Sequence, residues 1–151
     1  MGERLDVSFF EGILSNRAIV LPVFSWFLAQ FYKFVYHFIK HRKIDFRKIV
    51  SSGGMPSSHS SISVNMATVL GMEYGFDSGY FAVATVFCFI VMADAAGVRR
   101  AAGKQAEVLN KLVYSSKDIK LDKELKELLG HTPLQVITGA LLGIAVAILF
   151  A

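Results

Sequence analysis

The chain has 151 residues and a formal net charge of +4, with 54% of its residues hydrophobic and only 19% charged. Soluble domains carry about a quarter charged residues, and here the charges are bunched between long uncharged stretches, which argues against an ordinary soluble domain and for a multi-pass membrane protein. The single Cys88 excludes an intrachain disulfide framework and a cysteine-based metal cluster, and basic residues that flank apolar spans suit lipid headgroups better than nucleic acid.

Residues 1–11 read as a short amphipathic lead-in. Glu3, Asp6 and Glu11 stand where a secretory signal would carry basic residues, so no cleavable signal is expected. From Gly12 to Ile39 the chain is apolar and aromatic, long enough for a first span, with Pro22 as a candidate kink. Gln30, Lys33 and His37 interrupt it at helical spacing and share one face. Lys33 lies near the basic end, where its ammonium can snorkel to the polar layer or bind a ligand. Residues 40–48 hold five basic residues against one acidic, the signature of a cytoplasmic juxtamembrane loop.

Gly53-Gly54-Met55-Pro56-Ser57-Ser58-His59-Ser60 follows. The glycines permit a tight turn, Ser57 or Ser58 can cap the next helix, and a helix N-terminus with hydroxyls and an imidazole suits an anion such as phosphate. The second span, about Ser60 to Tyr74, is short and carries Ser61, Ser63, Asn65 and Thr68, so it belongs against other helices rather than against lipid. A turn over 71–79 leads to a third span at 80–93 that continues through Asp94 to Gly97. Asp94 needs a partner at membrane depth, and it and Asn65 are the structural polar candidates.

Arg99, Arg100 and Lys104 come next among small residues; Arg100 and Lys104 share a face if the helix persists. Residues 114–130 alternate in charge and read as a solvated amphipathic connector. His131 precedes Pro133, which suits a first helical turn, and 134–151 form a fourth span whose Gly139 and Gly143 permit close helix packing. The expected fold is thus an all-α polytopic membrane bundle, with about four membrane-embedded helices and an amphipathic connector, in a single integral membrane domain over 1–151.

Four spans put both termini on one side. Residues 39–55 sum to +4 and 99–131 to +3, against −1 for 1–17 and −2 for 73–79, which predicts both basic loops in the cytoplasm. His59, Arg99, Arg100, Lys104 and His131 then fall at one membrane face. Two histidines with cations at a helix terminus suit phosphoryl transfer: cations and the N–H groups of 56–59 hold the oxygens, one imidazole attacks phosphorus and the other protonates the leaving oxygen. Zinc on His59, His131 and Asp94 is a competing use with scattered ligands; the expectation is no metal and no cofactor.

Three blocks, Gly53 to His59, Asp94 to Asn110 and Gly130 to Gly139, resemble the divergent bacterial and plant membrane branch of the phosphatidic-acid-phosphatase type 2 superfamily, related to acid phosphatases and vanadium-dependent haloperoxidases. The resemblance runs from about Asn16 onward. It implies that Pro56-Ser57-Ser58-His59 matches a Pro-Ser-Gly-His motif that binds phosphate and supplies the general acid. It also implies that His131 matches the nucleophilic histidine, with Gln135 where the family has an orienting aspartate and Leu125 where it has a phosphate-binding arginine. Arg99 or Arg100 can stand in for that arginine by membrane side, and Lys33 with Arg47 represents the first motif at altered spacing. The implied activity is hydrolysis of a lipid-linked or prenyl-like phosphate monoester or diphosphate at the cytoplasmic face of a bacterial plasma membrane. The expected catalytic residues are His131, His59 and Gln135, with Lys33, Ser57, Ser58, Arg99, Arg100 and Lys104 binding substrate. Expected partners are phosphorylated lipid and membrane lipids, with no nucleic acid. The alternative is a non-enzymatic membrane protein that binds or transports phosphorylated lipid.

Overall fold

The computed structural model describes residues 2–42, 53–115, 125, 127 and 129–151. Among the described residues every regular element is helical: α1 (Gly2–Ser15), α2 (Arg17–His41), α3 (Ser58–Tyr74), α4 (Gly79–Ala93), a π-helical turn (Asp94–Val98), α5 (Arg99–Ser115) and α6 (Pro133–Phe150). The basic loop from Lys43 onward, with Arg47, and residues 116–124 of the charged connector lie outside the described residues.

One expectation is corrected at the start. The apolar run from Gly12 to Ile39 is not one helix but breaks at Asn16, whose backbone is extended at φ −79° and ψ 103°. Asparagine is a poor helix interior residue and a good helix start. Its carbonyl accepts the N–H groups of Ile19 and Val20, both at 3.0 Å, and so opens α2. The helix then runs on through a buried Pro22 to His41.

Three helical stretches are long and apolar enough to cross a membrane: Arg17–His41, the continuous rod Gly79–Tyr114, and Pro133–Phe150. The shorter α3 sits among them and packs on α2, α4 and α6. Its Ser61, Ser63 and Asn65 are buried, as the sequence predicts, and each makes a hydrogen bond. Ser63 donates to the His59 carbonyl at 2.9 Å, Asn65 to the Gly143 carbonyl at 2.9 Å, and the Ser25 and Ser61 hydroxyls bond each other. The Cys88 thiol donates to the Ser63 carbonyl at 2.8 Å. Large apolar side chains such as Val83, Phe89, Leu141 and Leu149 point outward instead. Polar interior and apolar exterior are the arrangement that a hydrocarbon solvent demands.

The α3–α6 contact depends on glycine. A Cβ at Gly139 would strike the Ser57 carbonyl, and one at Gly143 the Ser61 carbonyl and the Asn65 N–H. This close approach brings the first turns of α3 and α6 together. The α4–α5 rod meets them at its π-helical turn, and the last third of α2 meets them through Lys33. Four elements therefore converge at one end of the bundle.

Candidate functional site

The turn into α3 uses two left-handed glycines, Gly53 at φ 128° and Gly54 at φ 83°, followed by a cis Met55–Pro56 bond. Ser57 is the N-cap: its hydroxyl accepts the Ser60 N–H at 3.3 Å and the Ser60 hydroxyl at 3.0 Å. Its own N–H donates to the Gln135 carbonyl at 2.9 Å and ties the turn to α6. The set of anion-holding N–H groups expected over 56–59 is corrected accordingly. Pro56 has none and that of Ser57 is spent, so only Ser58 and His59 offer unpaired donors among the described residues.

His131 enters from the opposite side. Its N–H donates to the Ala95 carbonyl in the π-helical turn at 2.8 Å, and Gly130, at φ 78°, lies against the backbone of Arg99 and Arg100 where a Cβ would not fit. The ring is only 2% exposed. Its Nδ1 meets Gln135 Oε1 at 3.2 Å, while its Nε2 is buried with no hydrogen-bond partner among the described residues. The half-buried His59 ring meets it edge-on, with centroids 5.7 Å apart and planes at 66°. Burial pushes the His131 imidazole below its ordinary pKa; the Gln135 hydrogen bond and the nearby Gly54 backbone oppose this, and Lys33 and His59 add to it.

Gln135 has a second task. Thr132 caps α6, accepting the Gln135 N–H at 3.4 Å, while Gln135 Oε1 accepts the Thr132 N–H at 3.1 Å. The two form a reciprocal capping box.

Lys33 completes the inner shell. It is 7% exposed, and its ammonium donates to Gln30 Oε1 at 3.0 Å and Ser58 Oγ at 3.4 Å. Both partners are neutral, and no described carboxylate pairs with it. Gly54 lies over its side chain, a Cβ there falling 3.8 Å from Lys33 Cδ. Arg99 pairs with Asp94 across the π-helical turn, and both lie within electrostatic reach of His59. Arg100 and Lys104 follow on a helix that does persist, but their side chains are exposed and bond to neither histidine. Of the residues singled out in sequence, then, Lys33, Ser57, Ser58, His59, His131 and Gln135 come together, Asp94 and Arg99 flank them, and Asn65 lies deeper in the bundle. Among the described residues, no three His, Cys, Asp or Glu side chains are placed to hold a metal ion.

Sequence reasoning missed three contributors. The Thr132-x-x-Gln135 spacing is a capping-box signature and was legible. Asn110, 3% exposed, grips the chain at Leu125, accepting its N–H at 3.0 Å and donating to its carbonyl at 2.9 Å; nothing local marks it. The Ala95 carbonyl is a backbone group and carries no sequence signal.

Comparison with known proteins identifies a family and a relative. The profile of the Divergent PAP2 family matches residues 14–146. An uncharacterized membrane protein of Bacillus subtilis (strain 168), YuiD, is 41% identical over 152 residues, covering 92% of this chain and 96% of the relative. No solved structure matches significantly. The chain belongs to the divergent PAP2 family and is an integral membrane protein.

Proposed function

We propose that this divergent PAP2 membrane protein is a phosphatase that hydrolyses a lipid-linked or prenyl-like phosphate monoester or diphosphate through a histidine nucleophile. The observation that carries the reading is a buried cation held only by neutral groups among the described residues, with a buried imidazole at the same helix start. The Lys33 ammonium is buried with no described carboxylate to pair with it, within electrostatic reach of His131, whose Nε2 has no hydrogen-bond partner among the described residues. A buried cation without a counter-charge is costly, and a phosphate bound at the α3 N-terminus would compensate it.

In this reading Lys33, the Ser58 hydroxyl and the N–H groups of Ser58 and His59 hold the phosphoryl oxygens. His131 Nε2 donates its lone pair to phosphorus as the bond to the leaving oxygen breaks, and His59 protonates that oxygen. Water, deprotonated by His59, then attacks the phosphohistidine and frees phosphate. Arg99 can swing from Asp94 toward a further oxygen. The outward apolar faces of α4 and α6 leave the substrate's hydrocarbon tail in lipid, and the +4 and +3 loops put the site at the cytoplasmic face.

A second reading is favoured by Gln135. It has no charge to stabilise imidazolium, which suits a protein that binds or moves phosphorylated lipid without turnover. Phosphate release by purified protein from a panel of lipid phosphates, with His131→Ala as control, separates the two. Release that His131→Ala abolishes supports the phosphatase; binding without release supports the carrier.

A further inference from the structure

We infer that Asn110 is a positioning residue for His131: it clamps the chain ahead of α6 onto α5, and the clamp seats the histidine against the π-helical turn. The catalytic consequence rests on the phosphatase reading, but the clamp exists in the protein without substrate.

The block from Asp94 to Asn110 is the longest of the three that carry the resemblance, yet only Asp94 and Arg99 of it border the histidines. Its buried residues Ala95, Gly103 and Asn110 instead meet the chain that leads into α6. Leu125 lies at Asn110, Glu127 and Leu129 at Gly103, Gly130 at Arg99 and Arg100, and His131 at Ala95, so the two stretches run antiparallel. From Ala95 to Asn110 is 15 residues, about 22 Å along a helix. The block is a track on which the approach to His131 is laid.

Asn110 fastens the far end of that track with its whole amide. Oδ1 accepts the Leu125 N–H at 3.0 Å, while Nδ2 donates to the Leu125 carbonyl at 2.9 Å and to Glu127 Oε1 at 2.8 Å. Midway, Gly103 leaves the chain room to lie flat: a Cβ there would strike the Glu127 carbonyl and press on the Leu129 backbone. At the near end the His131 N–H donates to the Ala95 carbonyl at 2.8 Å. Downstream the histidine is held by the first turn of α6; upstream it is held at two points, Ala95 and Asn110. Releasing the outer point lets the chain lift from α5 and uncovers a ring that is only 2% exposed. A shift of about 1 Å in a reacting group costs on the order of 10²-fold in turnover.

The test is modification of histidines by diethyl pyrocarbonate in the full-length protein in lipid nanodiscs, read residue by residue by mass spectrometry. Maleimide labelling of the buried Cys88 reports whether the bundle is intact. In the wild type, His131 should react far more slowly than the exposed His41. Asn110→Ala should speed His131 several-fold, leave His41 and Cys88 unchanged, and lower kcat several-fold at little changed KM. Asn110→Asp loses both donors and sets a carboxylate against Glu127, so it should open His131 likewise. Adding Glu127→Gln gives that carboxylate a donor and should restore most of the shielding and of kcat. A wild-type His131 as reactive as His41 overturns the inference, and so does an Asn110→Ala protein with Cys88 shielded and His131 unchanged. Exposure of Cys88 along with His131 overturns it too, because Asn110 then holds the whole bundle rather than the approach to one residue. Failure of Glu127→Gln to restore Asn110→Asp has the same force. Selective opening of His131 in a protein that hydrolyses no lipid phosphate removes the phosphatase reading and leaves the clamp; selective opening at unchanged kcat leaves hydrolysis and removes the positioning role.

Discussion

His59 and His131, from separate blocks of the chain, meet edge-on with ring centroids 5.7 Å apart, and each keeps one buried ring nitrogen without a hydrogen-bond partner among the described residues. In the proposed phosphatase, two such nitrogens around one helix start would divide the labour of phosphoryl transfer. His131→Ala should abolish an acid-labile phosphohistidine trapped by rapid quench. His59→Ala should leave it trappable and slow alkyl phosphates by about 10²–10⁴-fold, the usual worth of a general acid. Aryl phosphates, whose leaving group needs little protonation, should suffer less. A phosphoenzyme persisting in His131→Ala would remove this residue as the nucleophile.

The pH profile follows from the depressed pKa of His131. In the proposed phosphatase attack needs the neutral ring, so activity would be lost as pH falls through the folded-state pKa, which lies below the ordinary histidine value of about 6.5. The acid limb of kcat/KM in the free enzyme should therefore sit under that value. Replacing Lys33 by Met removes a cation near the ring and should move the limb upward. A limb well above 6.5 in the wild type would contradict the burial that sets it.

Lys33→Met also separates binding from stability. Among the described residues the buried ammonium has only Gln30 and Ser58 as partners. Charge-assisted hydrogen bonds contribute about 1.5–3 kcal/mol, so vanadate affinity should fall by about 10–100-fold. An uncompensated buried charge stabilises nothing, and the thermal midpoint of ligand-free protein should stay level or rise. A lower midpoint with unchanged vanadate affinity would make Lys33 a structural residue. Arg100→Ala and Lys104→Ala, exposed and unbonded to the histidines, should change vanadate affinity far less.

Gly139→Ala and Gly143→Ala test how the site is held. Each new methyl would meet backbone of α3 rather than a side chain that can yield. Overpacking of this kind costs about 1–3 kcal/mol. Gly139 faces Ser57, whose N–H bonds the Gln135 carbonyl, so Gly139→Ala should impair turnover more than Gly143→Ala at similar loss of stability. Chemical denaturation in detergent and a vanadate titration measure the two effects separately.

Orientation is read by single cysteines at Lys43 and Lys117 in a Cys88→Ser background. Both should be shielded from impermeant thiol reagents in intact cells and labelled after permeabilisation. Labelling from outside would invert the proposed cytoplasmic face, and labelling from opposite sides would place the two basic segments apart.

The amino-acid sequence by itself determined the class of this protein and the neighbourhood of its site. Uncharged runs of span length, serines and asparagine in a short helix, and glycines four apart in another are local properties, and each one constrains what a bilayer tolerates. Three sequence blocks, read with the topology, were enough to bring His59 and His131 to one end of the bundle and to pair Gln135 with His131. Tertiary structure alone decided what the polar atoms do there. Lys33 turns inward to Ser58 while Arg100 and Lys104, equally basic and equally near in sequence terms, stay exposed. The Ser57 N–H goes to α6 rather than to an anion, and Gln135 serves two donors at once. Hydropathy and motif spacing follow from a residue's chain neighbours. Whether a donor is spent or free follows from which backbone lies across from it, and here the glycine-mediated approach of α6 to α3 and the π-helical turn beside His131 settle that.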